Sequence, residues 1–206
     1  MNLKAPLETS RNLHRPPSLA LKRFTDVVLS AAVLTVSSPL LLAIALSIKL
    51  DSPGPALFKQ KRVGKDGELF DILKFRTMRV GTPNVATDVM LKSGINPITR
   101  VGDFLRKSSF DELPQLINVL RGEMSLVGPR PALFNQYELT DKRRAADALW
   151  MLPGITGWAQ VNGRDELADD VKVELDRWYC QNWNYWLDWR IMFRTVAAIV
   201  NRRGVN

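Results

Sequence analysis

The sequence predicts an α+β protein that is mostly helical and carries a membrane-inserted segment near its start. Three observations predict this. A charge-free apolar run covers residues 27–48, two short strand-like runs flank the turn Lys65-Asp66-Gly67, and much of the remaining apolar content recurs at helical spacing. The 206 residues suffice for one domain with a substantial core. We predict a flexible tail over 1–18, a membrane segment over 19–50 and a main domain over 51–206.

The apolar run reads VVLSAAVLTVSSPLLLAIALSI. As a helix it reaches roughly 33 Å at about 1.5 Å per residue, enough for a hydrocarbon core of about 30 Å. Pro39 removes a backbone donor and predicts a break, and Ser37 and Ser38 can satisfy the carbonyls that it frees. Because lysines and arginines flank both ends, we expect both ends on one face of the membrane. The prediction is a re-entrant helix–break–helix, with a straight span as the alternative.

The charge balance predicts an anionic partner. Lys and Arg number 29 against 21 Asp and Glu, which gives a net charge of +8. Nucleic acid, anionic lipid headgroups and a phosphate-bearing substrate all fit that excess. Cys180 and His14 are single residues of their kinds, so a zinc site or a histidine-based catalytic arrangement is not expected. Carboxylates, lysines, hydroxyls or tyrosines must therefore carry any acid–base or nucleophilic chemistry.

Aromatic residues crowd the stretch 178–189, and an apolar helical series follows it. Amphipathic rings favour the headgroup zone of a membrane, so we predict interfacial amphipathic helices here. Packing of the same apolar face on the core is the alternative for the series. The residues are Trp178, Tyr179, Trp183, Tyr185, Trp186 and Trp189, then Met192, Phe193, Val196, Ile199 and Val200, with Arg202, Arg203 and Gly204 as a plausible helix end.

Two adjacent acids, Asp111 and Glu112, stand before a short apolar run. Ser109-Phe110-Asp111-Glu112 fits the S-x-x-E capping box, and Pro114 is typical of a first helical turn. The acids can therefore simply stabilise a helix start. The same position lowers a carboxylate's pKa, and an ionised carboxylate is what a nucleophile or a magnesium ligand must be.

Basic residues on rigid segments are candidates for phosphate binding, because the guanidinium fork matches phosphate oxygens. Arg130 lies between two prolines in SLVGPRP, Arg164 ends the loop PGITGWAQVNGR, and Arg106 stands five residues before Asp111. Lys59 and Arg76 on the predicted hairpin are weaker candidates, with solvated surface as the alternative. Each signal alone is weak.

Together these segments resemble one family. The stretches KRFTDVVLS, LFKQKRVGKDGELFDILKFRTM, LRKSSFDELPQLINVLRGEMSLVGPRP and PGITGWAQVNGR follow in this order. They resemble the bacterial sugar transferases, the monotopic phosphoglycosyl transferases that begin assembly of cell-surface glycans. The resemblance covers roughly residues 20–204, and it looks like the small type, a catalytic core without additional N-terminal membrane helices. Phe110 and Trp158 stand where leucine is usual or frequent.

The resemblance implies a bacterial inner-membrane enzyme with its catalytic domain, residues 51–206, facing the cytoplasm. It implies transfer of a sugar 1-phosphate from a UDP-sugar to polyprenol phosphate, with release of UMP. In that family the aspartate of the pair, here Asp111, attacks phosphorus, and the glutamate, here Glu112, ligates Mg²⁺. Arg106, Arg130 and Arg164, with Lys59 and Arg76 as weaker candidates, would bind phosphates, and Ser38-Pro39 matches the family's helix break.

Two other functions compete with this one. A degenerate relative could scaffold glycan assembly without catalysis, but it would have lost an acid or an arginine of the motif. A nucleic-acid-binding module would also use the positive charge, but the charge-free run and the lack of a recognisable binding fold argue against it. The sequence leaves open the sugar, the polyprenol and whether a homodimer forms; residues 80–100 and 132–150 are where sugar choice is expected.

Overall fold

A computed structural model of the chain describes residues 18–82, 96–163 and 167–200. The fold is α+β and mostly helical, as predicted. The helices are α1 (Ser18–Asp51), α2 (Arg100–Ser108), α3 (Gln115–Arg121), α4 (Tyr137–Ala145), α5 (Trp158–Asn162), α6 (Asp169–Asn182) and α7 (Tyr185–Val200); the strands are β1 (Leu57–Val63), β2 (Leu69–Phe75), β3 (Ser125–Val127) and β4 (Gly154–Thr156). The predictions for His14 and the rest of the tail before residue 18, Arg164, residues 83–95 and residues 202–204 lie outside the described residues.

The predicted hairpin is confirmed. Strands β1 and β2 pair antiparallel, with Leu57 opposite Phe75 and Val63 opposite Leu69. The turn between them needs positive φ at Asp66 (56°) and Gly67 (88°), which explains the Asp-Gly pair. A second sheet was not predicted: β3 and β4 pair in parallel through three-residue strands.

Helix α1 runs without interruption through Pro39. Proline has no N–H to donate to the Thr35 carbonyl four residues earlier. The Ser38 hydroxyl donates to that carbonyl at 2.8 Å instead. The prediction that a serine satisfies the freed carbonyl is confirmed, but the predicted break is a single continuous helix in the structure.

Helix α1 contacts the rest of the protein near its two ends. Lys22, Asp26 and Ser30 are buried towards the start and Ile44 and Ile48 towards the end, whereas the side chains between them are mostly exposed. Among the described helices α1 alone is long and apolar enough to cross a membrane, and only 11% of its most apolar window is buried. Whether it spans or re-enters a membrane stays a prediction.

A buried polar network fastens the first end of α1. Lys22 Nζ donates to Asp188 Oδ2 of α7 at 2.6 Å and to the Val127 carbonyl of β3 at 2.9 Å. Tyr179 of α6 donates to the other Asp188 oxygen at 2.7 Å. Helices α1, α6 and α7 therefore meet at one carboxylate, β3 joins them through the Val127 carbonyl, and α1 is held to the rest of the protein by directional bonds.

The C-terminal helix packs one face on the core, as one of the two predictions has it, and leaves the other face exposed. One side of α7 packs Leu187 and Ile191 into the core. The opposite side leaves Trp186 77% and Phe193 68% exposed. Some of the aromatic cluster is structural, since the Trp183 indole donates to Asp188. The exposed face keeps the prediction of an interfacial helix open.

Candidate active site

The acid pair lies in a 3-10 turn, Phe110–Glu112, between α2 and α3. The predicted capping box is wrong. Ser109 adopts a left-handed conformation (φ 59°), its side chain caps nothing, and α3 begins only at Gln115. The side chain of Glu112 instead forms ion pairs with residues that are distant in sequence. These contacts outweigh the local preference for capping a helix.

Two cations converge on one oxygen of Glu112. Lys74 Nζ donates to Oε1 at 2.7 Å and Arg130 Nη2 donates to the same atom at 3.1 Å. Burial alone would raise the pKa of Glu112, but Arg130 and Lys74 lower it to about 2. Glu112 is therefore an anion at any physiological pH.

The neighbouring carboxyl has the opposite tendency. Burial raises the pKa of Asp111; Lys74 opposes this, Glu112 adds to it and Arg106 opposes it. The two acids thus differ in basicity although they are adjacent. Asp111, held less tightly by cations, is therefore the more basic carboxylate of the two.

Lys74 reaches the acids because of the hairpin register. It lies opposite Phe58, so it shares a face with Gln60 and Arg62 of β1. Lys59, opposite Leu73, is exposed and belongs to the other face, where the exposed pair Lys61–Asp71 lies. The structure therefore does not bring the predicted Lys59 towards the acid pair. It brings Lys74, which the sequence-based prediction left out of the site.

Asn118 of α3 holds strand β2 beside the acid turn through hydrogen bonds. The Asn118 side chain accepts from Leu73 N at 2.9 Å and donates to the Asp71 carbonyl at 2.8 Å and to Glu123 at 2.6 Å. It is fully buried. Helix α3 thus completes the edge of β2 next to Lys74.

Arg130 stands on a loop in which three consecutive carbonyl groups, those of residues 129–131, accept hydrogen bonds. The Pro129 carbonyl accepts from Gly154 N at 3.0 Å. Arg143 Nη1 donates to the Arg130 carbonyl at 2.8 Å, and Arg62 Nη1 donates to the Pro131 carbonyl at 3.1 Å. The loop is therefore fixed by protein bonds, as the two prolines suggested.

Arg106 approaches the acids from the last turn of α2. Its Nε donates to Thr77 Oγ1 at 3.0 Å. Burial lowers the pKa of Arg106, while Asp111 raises it. Helix α2 can lie this close to the chain after β2 because residue 102 is glycine. A Cβ at this position would collide with the Thr77 carbonyl.

Arg76 has a different environment from the one predicted. It is 5% exposed, and its Nη2 donates to the Ser52 carbonyl at 2.7 Å and to Ser52 Oγ at 3.0 Å. Its Nη1 donates to the Pro53 carbonyl. Arg76 therefore fastens the end of α1 to the hairpin, and this structural role replaces the phosphate contact predicted for it.

The donor set fits a magnesium ion bound together with substrate. The described residues hold no group of three or more acidic, histidine or cysteine side chains that would form an all-protein cage. Mg²⁺ usually takes one or two carboxylates and completes its shell with phosphates and water. Among the described residues both cations of Glu112 contact Oε1; Glu112 is the carboxylate that would hold such an ion, which would neutralise charge on a bound diphosphate.

Of the predicted site residues, the structure brings together Asp111, Glu112, Arg106 and Arg130. The prediction missed Lys74. Counting outward from the Asp-Gly turn gives the register of the hairpin, and alternation then places Lys74 and Lys59 on opposite faces. No local signal tells which of the two faces meets the acids.

Comparisons with known proteins show the family to which this chain belongs. The chain matches the family described as bacterial sugar transferase over residues 17–202. It is 39% identical to an undecaprenyl-phosphate galactose phosphotransferase of Salmonella typhimurium, over 96% of this chain and 44% of the relative. It is 45% identical to a UDP-glucose:undecaprenyl-phosphate glucose-1-phosphate transferase of Caulobacter vibrioides, over 87% and 69%. A third relative, a UDP-N-acetylgalactosamine-undecaprenyl-phosphate N-acetylgalactosaminephosphotransferase of Aeromonas hydrophila, is 41% identical over 89% and 44%.

The chain therefore belongs to the bacterial sugar transferase family, which confirms the resemblance of its motifs. It spans less than half the length of the Salmonella and Aeromonas relatives. The three relatives are named for three different sugars, so similarity to them does not define the sugar.

Proposed function

We propose that this protein transfers a sugar 1-phosphate from a UDP-sugar to undecaprenyl phosphate or a similar polyprenyl phosphate. The observation that carries the proposal is the pair Asp111–Glu112 surrounded by Lys74, Arg106 and Arg130. Such a site binds and neutralises phosphate oxygens, which is the main requirement of phosphoryl transfer. The names of the relatives support the two substrates.

The chemistry divides into two displacements. A carboxylate oxygen of Asp111 attacks the phosphorus that carries the sugar, the bond to the bridging oxygen breaks, and UMP leaves with that electron pair. A phosphate oxygen of the polyprenyl phosphate then attacks the same phosphorus and returns Asp111 as a free carboxylate. The product is a polyprenyl-diphosphate-sugar, and the kinetics are ping-pong.

The other residues have supporting tasks in this scheme. Arg106 and Arg130 hold phosphate oxygens and stabilise the charge that develops on them. Lys74 lowers the pKa of both carboxyls and so favours their ionised forms. Glu112 would hold Mg²⁺, which supplies charge neutralisation on the diphosphate when it is bound. Arg164, outside the described residues, remains a predicted phosphate ligand from its motif alone.

Membrane association follows from the same proposal, because the acceptor is a lipid. The exposed middle of α1 and the exposed aromatic face of α7 are the surfaces that would contact lipid. The net charge of +8 favours anionic headgroups. We propose a monotopic arrangement at the bacterial inner membrane with the site on the cytoplasmic side.

The test is intact-protein mass after incubation with a panel of UDP-sugars and Mg²⁺ without lipid acceptor. We expect a gain of one sugar phosphate with the correct donor and no gain in Asp111→Asn. If no donor gives an adduct while the protein still releases UMP on addition of polyprenyl phosphate, the two-step role of Asp111 is wrong. If no nucleotide sugar gives either result, the non-catalytic scaffold becomes the better proposal.

A further inference from the structure

A buried ion pair lies behind the loop that presents Arg130. Arg143 of α4 donates from Nε and Nη2 to Asp176 Oδ2 of α6, at 2.9 and 2.6 Å. The two side chains are 4% and 1% exposed. The remaining nitrogen of the fork, Nη1, donates to the Arg130 carbonyl at 2.8 Å.

Stability alone explains this pair poorly. Replacing a buried ion pair by apolar side chains of similar volume is often neutral or stabilising, because desolvation offsets the attraction. The third hydrogen bond of Arg143 gives the pair another task. Asp176 orients the guanidinium from one side so that its other side meets a single backbone carbonyl.

That carbonyl belongs to the residue whose side chain contacts Glu112. Arg130 stands between Pro129 and Pro131, which restrict the backbone on both sides. Arg62 holds the next carbonyl, Pro131 O, from the hairpin side. Fixing these two consecutive carbonyls sets the direction in which the Arg130 side chain leaves the loop.

We propose that Arg143, oriented by Asp176, is a positioning residue that holds Arg130 in register with Glu112. The catalytic consequence rests on the proposed function, whereas the effect on the loop does not. A group displaced by about 1 Å from its productive place can cost roughly a hundredfold in rate. The pair therefore acts on the reaction through Arg130 and touches no substrate itself.

The test replaces the whole pair in Arg143→Met/Asp176→Leu, which leaves no unpaired buried charge. The matched control is Lys142→Met on the same helix, where the exposed Lys142 pairs with Glu138 and Asp170. Hydrogen–deuterium exchange of the peptide covering residues 126–134 should rise in the pair variant and stay unchanged in the control. Unchanged exchange in both would overturn the proposal.

The second readout is a double-mutant cycle with Arg130→Ala, measured as the rate of UMP release with the correct UDP-sugar. The pair replacement should slow wild-type protein roughly ten- to a hundredfold and should change the Arg130→Ala protein by less than about twofold. Losses that multiply would show that the pair does not act through Arg130, and would also overturn the proposal.

The test remains decisive if the pair variant does not fold and if the protein shows no transfer activity. If the pair variant does not fold, Arg143→Lys carries both readouts, because a compact ammonium keeps the charge beside Asp176 but lacks the fork that reaches two acceptors. If wild-type protein transfers no sugar phosphate from any donor, the proposed function fails. The exchange result then still decides whether the pair holds the loop.

Discussion

Lys74 affects both acids of the site: it bonds Glu112 directly and acts on Asp111 through its charge. Its Nζ donates to Glu112 Oε1 at 2.7 Å, and its charge opposes the burial that raises the pKa of Asp111. A carboxylate nucleophile works only in its ionised form. The pKa seen on the acid side of the pH–rate profile should therefore depend on Lys74.

Replacing Lys74 by Met should raise the pKa of Asp111 further. Because a carboxyl group is ionised above its pKa, the acid limb for adduct formation should move to higher pH. At pH 7 we expect a loss of about tenfold or more, which is about 1.4 kcal/mol of transition-state stabilisation. Adduct formation measured by mass against pH gives both quantities.

The control for this variant is Lys61→Met. Lys61 lies on the same hairpin but on the opposite face, paired with Asp71 at 3.1 Å and largely exposed. Exposed pairs contribute little, so rate and pH limb should stay unchanged. Equal shifts in both variants would mean that the general positive charge of the hairpin, and not Lys74, sets the profile.

Among the secondary structure elements, α3 and β2 are joined both by apolar packing of Val119 with Phe70 and Ile72 and by the side chain of Asn118. Asn118 bonds Leu73 N, the Asp71 carbonyl and Glu123, and is fully buried. Asn118→Leu would leave these partners unsatisfied next to the strand that carries Lys74. We expect a loss of about 2–4 kcal/mol in the free energy of unfolding and a melting temperature lower by roughly 5–10 °C.

Thermal unfolding in detergent checks this expectation. The matched variant is Asn182→Ala, because the exposed Asn182 side chain donates only to the Trp178 carbonyl at 2.8 Å. It should change the melting temperature by less than about 2 °C. A similar small shift for Asn118→Leu would show that α3 is held to β2 by apolar packing alone.

Elements with local signals were predictable from the sequence. The hairpin has alternating residues and an Asp-Gly turn, and α1 has a long charge-free run and serines that bond carbonyls beside Pro39. The parallel pair β3–β4 was not predictable, because each strand has three residues and its partner lies far along the chain. Ser109 fitted a capping box, yet the contacts of Glu112 with Lys74 and Arg130 determine the turn.

The residues of the candidate site also differ in how far the sequence indicates them. Asp111, Glu112, Arg106 and Arg130 lie in short segments that are weak signals one by one, and the resemblance of these segments to the family is what predicted their roles. Lys74 depends on which face of the hairpin meets the acid turn, and Arg143 acts through a backbone carbonyl that no sequence pattern reveals. The sequence predicted Arg76 as a phosphate ligand. Its buried hydrogen bonds to Ser52 and Pro53 form only in the folded chain, so no local pattern indicated its structural role.

For the whole molecule, the unusual feature is that α1 is held at both ends and free in its middle. Arg23 donates to the Val119 carbonyl at 2.6 Å near one end, and Ile48 packs with Phe75 near the other. Both ends of α1 therefore contact the same domain, as the predicted re-entrant arrangement requires. A straight span would instead separate the two ends by the hydrocarbon core of about 30 Å.

Single-cysteine variants in sealed vesicles of known orientation test this topology. Phe24→Cys and Leu50→Cys replace side chains that are 65% and 80% exposed, and Val36→Cys replaces one that is 83% exposed beside the proline. A re-entrant helix places residues 24 and 50 on the cytoplasmic side, so a membrane-impermeant thiol reagent should label both from that side, and residue 36 only after detergent is added. Natural Cys180 is buried and serves as the unlabelled background. Labelling of residues 24 and 50 from opposite sides would establish a straight span, which would carry one end of the α1 contacts out of reach of the domain that holds Asp111.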